Sequence, residues 1–290
     1  MPSYREDFWR RNPGCAKRNP GVRRGTLAIL GTVVVAFWAL LASGCSTNEG
    51  AGDTSEETTT TANAPVSLSY VALGDSLAVG LGAYRGYVDR YADYIKTDTG
   101  AQVDVVNLGQ SGETSSQLLH ALRNHEPLRQ ALSTADVITF NIGFNDLGRA
   151  SEAYENGTCG GVDNQDCLRT AVETFEENWD AIIAELLSFR STDDTIIRTV
   201  GLGYTPHVDT DEVLGMSPSY GRVNDFRVFE PYANEANHHI ATTATKNGIP
   251  YAEVHLDKEN ISRDGVHPND EGYETIADQL RELGYSPLGR

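Results

Sequence analysis

In the stretch "SYVALGDSLAVGLGAY" (residues 69–84), an apolar run ending at Leu73 gives way abruptly to Gly74, Asp75, Ser76 and Leu77. Ser76 could act as a nucleophile, but its hydroxyl is weak until a neighbouring base takes its proton. The same position also suits the N-cap of a following helix, because a serine oxygen accepts a free N–H of the first turn. The local sequence allows both. Other chemistry-bearing residues lie far along the chain: Asn145 in "GFND" (143–146), and Asp264 and His267 in "SRDGVHPND" (262–270).

Elements that would carry these residues alternate in type. "LSYVAL" (68–73), "QVDVVNL" (102–108), "DVITFNIG" (136–143), "TIIRTVGLG" (195–203) and "IPYAEVH" (249–255) have the apolar, β-branched character of strands. Between them, apolar spacing predicts a helix over about 84–100 and one over 115–132 that Pro127 would break. A long amphipathic helix is expected over 168–189, with Val172, Phe175, Trp179, Ile182, Ile183, Leu186 and Leu187 on one side. Further helices are expected at about 225–247 and 270–283, the last capped by Asn269 or Asp270. Residues 149–168 and 204–224 are expected as loops. Such alternation predicts a three-layer α/β/α sandwich around a mainly parallel five-stranded sheet, flavodoxin-like in type. Ligands bind such sheets beyond the C-terminal ends of the strands. Four polar, glycine-bearing loops would meet there: "GDSL" (74–77), "NLGQSGETS" (107–115), "GFND" and "SRDGVHPND".

These four blocks, in this order and each after an expected strand, resemble those of the GDSL, or SGNH, family of serine hydrolases over about residues 68–283. The resemblance implies Ser76 as nucleophile, His267 as base and Asp264 as the group that orients the imidazole. The Asp-x-x-His spacing lets one loop deliver both. The resemblance also implies an oxyanion hole made by the backbone N–H groups of Ser76 and Gly109 and the Asn145 amide. Taken singly, Asn145 and Gly109 could be turn formers and His267 a surface loop residue. Position 78 is Ala78, so Ser76 is not in the G-x-S-x-G elbow of the ordinary α/β-hydrolases. Asp75 and Asp146 are expected to hold loops through backbone hydrogen bonds. His120, His125, His207, His238, His239 and His255 lack a partner pattern and are expected at the surface or in packing. The Tyr-rich stretch 84–94 is expected in the core, with Tyr84 or Tyr87 able to line a pocket.

The N-terminal part has a different character. Seven basic residues within 5–24 precede an uncharged apolar run, Thr26 to Ala42, and then "SGC". A basic region, an apolar region and a small-residue exit describe an export signal, here residues 1–44. Ala42, Ser43 and Gly44 before Cys45 resemble the lipobox of bacterial lipoproteins, although leucine is usual where Ala42 stands. In that family the new N-terminal cysteine carries lipid. An uncleaved anchor is the rival reading, since ~17 apolar residues approach the length of a membrane span; a fully released protein is a third. All three place the domain outside the cytoplasmic membrane. Residues 46–65, rich in Thr, Ser, Gly and Glu, cannot bury enough surface to fold and would serve as a tether, leaving 66–290 as the domain.

The chain carries 23 basic and 41 acidic residues. Losing residues 1–44 removes seven and two of them, leaving 16 against 39 and a net charge of −23. Such a surface is repelled by nucleic acid. Cys159 and Cys167, in "CGGVDNQDC", would form a disulfide outside the cytoplasm; a metal site is the lesser alternative, with no histidine or second cysteine pair nearby. No metal or cofactor is implied. The expected function is a lipid-anchored or secreted serine esterase acting on lipid or short-chain acyl esters, without cofactor. A polysaccharide or cell-wall O-acetyl esterase is one alternative, and a binding lipoprotein that lost catalysis is another, although no triad member is missing. The sequence does not fix the oligomeric state; a monomer is the expectation.

Overall fold

The computed structural model describes residues 66–202 and 226–288. The proposed signal, the tether, Cys45, His207 and the 204–224 segment lie outside the described residues.

Five strands form one parallel sheet in the order β2-β1-β3-β4-β5: β1 Ser67–Gly74, β2 Gln102–Asn107, β3 Val137–Asn141, β4 Ile196–Val200 and β5 Tyr251–Ala252. Parallel neighbours need crossovers, and helices supply them: α1 Ser76–Val79, α2 Tyr87–Thr99, α3 Ser115–Asn124, α4 Glu126–Ser133, α5 Phe144–Glu155, α6 Asp166–Phe189, α7 Phe226–Lys246 and α8 Asp270–Glu282. The central strands are buried on both faces, which is why they are apolar nearly throughout. Val71, Leu73, Ile138, Phe140 and Ile197 pack with α3–α7, while Tyr70, Ala72, Val137, Ile196 and Val200 pack with α1, α2 and α8. The expected α/β/α sandwich is thus the observed one. Trp179 anchors the first layer, fully buried and stacked on Phe140 at 5.2 Å between ring centroids.

Three local expectations need correction. The 115–132 segment does break, but at His125, and Pro127 sits in the first turn of α4. Proline is tolerated there because its missing N–H would have had no helical acceptor. Residues 149–155 are not loop: "GFND" opens α5, which runs on to Glu155. Tyr84 lies before α2 and is fully exposed, whereas Tyr87 and Tyr91 are core residues.

The chain runs from β1 outward to β2 and then returns to the other side of β1 to lay down β3. That reversal opens a crevice between the C-terminal ends of β1 and β3, the usual ligand position in such sheets. Gly74, the last residue of β1, pairs there with Asn141, the last of β3.

Candidate active site

Asp75, not Ser76, is the N-cap of α1. Its Oδ1 accepts the Leu77 backbone N–H at 3.0 Å. Ser76 is therefore the first helical residue, and its own N–H has no acceptor within its helix. Its hydroxyl is left for other work. Ser76 Oγ lies 2.9 Å from His267 Nε2, and both residues are almost completely buried.

His267 comes from the loop that precedes α8, and Asp264 from the same loop. Asp264 Oδ2 lies 2.7 Å from His267 Nδ1, while Asp264 Oδ1 accepts the backbone N–H groups of Val266 and His267 and the Ser262 hydroxyl. Partial burial alone would raise the Asp264 carboxyl, but these donors outweigh it and hold it below the usual range. An ionised carboxylate only accepts, so Nδ1 carries the proton donated to Asp264 and Nε2 is the nitrogen that faces the Ser76 hydroxyl. The loop reaches α1 because residue 82 is glycine: a Cβ there would come within 2.8 Å of the His267 Cβ and 2.7 Å of the Pro268 carbonyl oxygen. Asn269 caps α8 by accepting the Gly272 N–H.

Gly109 follows β2 and lies against α1, where a Cβ would meet the Ala78 Cβ at 2.8 Å. Asn107 fastens this approach by donating from Nδ2 to the Ala78 carbonyl at 2.6 Å. The same side chain accepts the Gly109 N–H at 3.0 Å. Asn145, in the first turn of α5, donates from Nδ2 to the Glu113 carbonyl at 2.9 Å and to Asp75 Oδ2 at 3.3 Å. Asp146 accepts the N–H and hydroxyl of Ser115, tying α5 to α3. Asp75 and Asp146 thus hold loops through backbone donors, as their sequence context suggests. Sequence reasoning missed Asn107 and Asn141; only their position at the last residues of β2 and β3 marks them.

A model of the GDSL-like lipase/acylhydrolase family matches residues 72–275, a span that contains every one of these side chains. The chain belongs to this family. It is 27% identical over 233 residues to the spore germination lipase LipC of Bacillus licheniformis, covering 77% of this chain and 99% of that protein. The crystal structure of the lipase Lip_vut3 from a goat rumen metagenome superposes with a TM-score of 0.63 at 26% identity, covering 76% of this chain and 99% of that one. The acetylxylan esterase Axe2 of Geobacillus stearothermophilus shares the fold, with a TM-score of 0.52 at 15% identity over 76% of this chain and 96% of its own. This GDSL-family chain is accordingly an ester hydrolase.

A pocket opens beside Ser76 and His267, with Ile142, Phe144, Leu202 and Val266 as apolar walls. Neither Tyr84 nor Tyr87 lines it: the first faces solvent, and the second is buried and donates to Asn141 Oδ1. Cys159 and Cys167 are joined in a disulfide. Among the described residues, no group of three or more His, Cys, Asp or Glu side chains is placed to hold a metal ion, and no helix is long and apolar enough to cross a membrane. Of the remaining described histidines, His239 pairs with Asp180 at 2.8 Å on the helical surface, and His255 is exposed.

Proposed function

We propose that this GDSL-family hydrolase is a serine esterase that cleaves lipid or short-chain acyl esters through an acyl-enzyme on Ser76. The hydrogen-bonded chain from Asp264 Oδ2 through His267 to Ser76 Oγ carries this reading. Ser76 Oγ attacks the ester carbonyl as its proton passes to His267 Nε2, and Asp264 stabilises the imidazolium that results. His267 then returns the proton to the departing alkoxide, and the alcohol leaves. Water attacks the acyl-serine with its proton taken by the same nitrogen, and His267 returns that proton to Ser76 Oγ as the acid leaves. Negative charge on the tetrahedral oxygen is met by the Ser76 N–H, the Gly109 N–H and the Asn145 amide. The Gly109 N–H must share or release its bond to Asn107 as it turns to the substrate, and one Asn145 N–H must likewise share its bond to the Glu113 carbonyl or Asp75. An apolar pocket beside the serine suits an acyl chain, and similarity to a named lipase along nearly that protein's whole length supports the substrate class.

The basic, apolar and small-residue pattern of residues 1–45 supports export and lipidation of Cys45, which would hold the enzyme on the outer face of a membrane. Metabolic labelling with an alkyne fatty acid tests this: wild-type protein takes up label and Cys45→Ala does not.

The esterase reading is tested with purified protein on p-nitrophenyl esters from acetyl to palmitoyl. Wild type should turn over and Ser76→Ala should fall to background. A wild type inactive along the whole series, or a Ser76→Ala variant of equal activity, overturns the reading.

A further inference from the structure

We propose that Asp75 is a positioning residue, whose carboxylate fixes the face of the Asn145 amide and holds the serine-bearing turn in register with it. The inference rests on the reading of Ser76 as nucleophile and Asn145 as oxyanion donor. Asp75 is buried, and its two oxygens join three elements around the site. Oδ1 accepts from the Leu77 N–H of α1 and from Asn141 Nδ2 at the end of β3, at 3.0 and 2.8 Å. Oδ2 accepts from Asn145 Nδ2 in α5.

A carboxamide has one accepting edge and one donating edge of similar shape, and it can turn over about its last side-chain bond. The Glu113 carbonyl and Asp75 Oδ2 both present acceptors to the same nitrogen, so they decide which edge of Asn145 faces inward. Burial raises the carboxyl of Asp75 to about 6 against these hydrogen bonds, which is the expected penalty for a charge kept in such a place. The nearby Asp146 carboxylate opposes this charge, whereas the imidazolium formed on His267 during turnover would favour it.

An asparagine at position 75 separates this role from simple capping. Asparagine is a good N-cap, so its oxygen can keep the Leu77 and Asn141 bonds. Its nitrogen would then face the Asn145 nitrogen, donor against donor. Asn145 could relieve this only by turning its oxygen inward, where an oxyanion would be repelled. The expected result for Asp75→Asn is a fall in kcat of about ten- to a hundred-fold with KM changed by about twofold or less, the pattern of an interaction made only in the transition state.

The deciding measurement is a double-mutant cycle on the full-length protein. Adding Asp75→Asn to Asn145→Ala should lower kcat by no more than about threefold beyond Asn145→Ala alone, because the amide to be positioned is already gone. Asp75→Asn with kcat within about twofold of wild type overturns the inference, as do effects that multiply, or a loss carried by KM. Should Asp75→Asn fail to fold, Asp75→Ser keeps a capping oxygen while removing the acceptor for Asn145, and it is judged by the same criteria. A wild type without esterase activity defeats the functional reading itself; an active wild type with an unimpaired Asp75→Asn defeats only this inference.

Discussion

Asp264 grips His267 twice, by its ring through Oδ2 at 2.7 Å from Nδ1 and by its main chain through Oδ1 at 2.9 Å from the backbone nitrogen. A three-residue spacing lets one carboxylate do both. The imidazole is thereby fixed in tautomer and in position by the same side chain.

Replacing Asp264 by asparagine should separate the two grips. The backbone N–H can still find an amide oxygen, but no negative charge faces Nδ1. Turnover should fall by about 10²- to 10⁴-fold with the fold retained. Steady-state kinetics beside a thermal melt checks this; a variant within a few fold of wild type would remove Asp264 from the mechanism.

Gly109→Ala should be more damaging than its size suggests. The added methyl would lie 2.8 Å from the Ala78 Cβ and 3.1 Å from the Val79 nitrogen, so the loop after β2 must move off α1. A shift of that order displaces the Gly109 N–H from the oxyanion position, and about a ten- to a hundred-fold loss of kcat is expected. Ala78→Gly in the same protein should restore part of it, by vacating the space the methyl needs.

Stability should carry the signature of Asp75. Its carboxyl is raised by burial from 3.8 to about 6, so between those values the folded protein holds a proton that the unfolded chain has released. This contribution is fully present below about pH 4 and is lost as pH rises through about 6. Asp75→Asn has no such proton. The stability of the variant relative to wild type should therefore improve by up to ~3 kcal/mol between pH 4 and pH 8. Chemical denaturation at the two pH values measures it, and a constant difference would refute the buried charge.

Opening the disulfide should affect stability and spare catalysis. Cys159 and Cys167 are eight residues apart and close a small loop, a constraint on the unfolded chain of ~2.5 kcal/mol. Asn145 lies in the first turn of α5, whereas this loop follows the far end of that helix. The Cys159→Ala/Cys167→Ala protein should melt earlier with kcat nearly unchanged; an equal loss of turnover would place the loop in the site.

The sheet and its layers were legible because both of their signals are local: apolar runs bounded by glycine, and helical spacing such as that of Val172, Phe175, Trp179, Ile182 and Leu186. The four loops were legible as a set through their order along the chain. Position 198 was not. Arg198 lies buried in β4, its guanidinium donating to the carbonyls of Ile197, Gly284 and Ser286; nothing in "TIIRTVGLG" announces that a C-terminal turn will supply acceptors. The capping role of Asp75 was hidden for another reason. Serine and aspartate are both good caps, and only the backbone at the strand end decides which of two neighbours occupies that place. The true length of α5 was masked by the glycines and cysteines that follow it, which made the whole segment look like loop.

Ser76 and His267 are 191 residues apart, and bringing them together closes nearly the whole domain into a ring. Secondary structure can form within each βα unit long before that ring closes, because local contacts cost little chain entropy. Recovery of ester hydrolysis after denaturation is therefore a clock for the final docking of the C-terminal segment, and it should lag behind the return of helical signal.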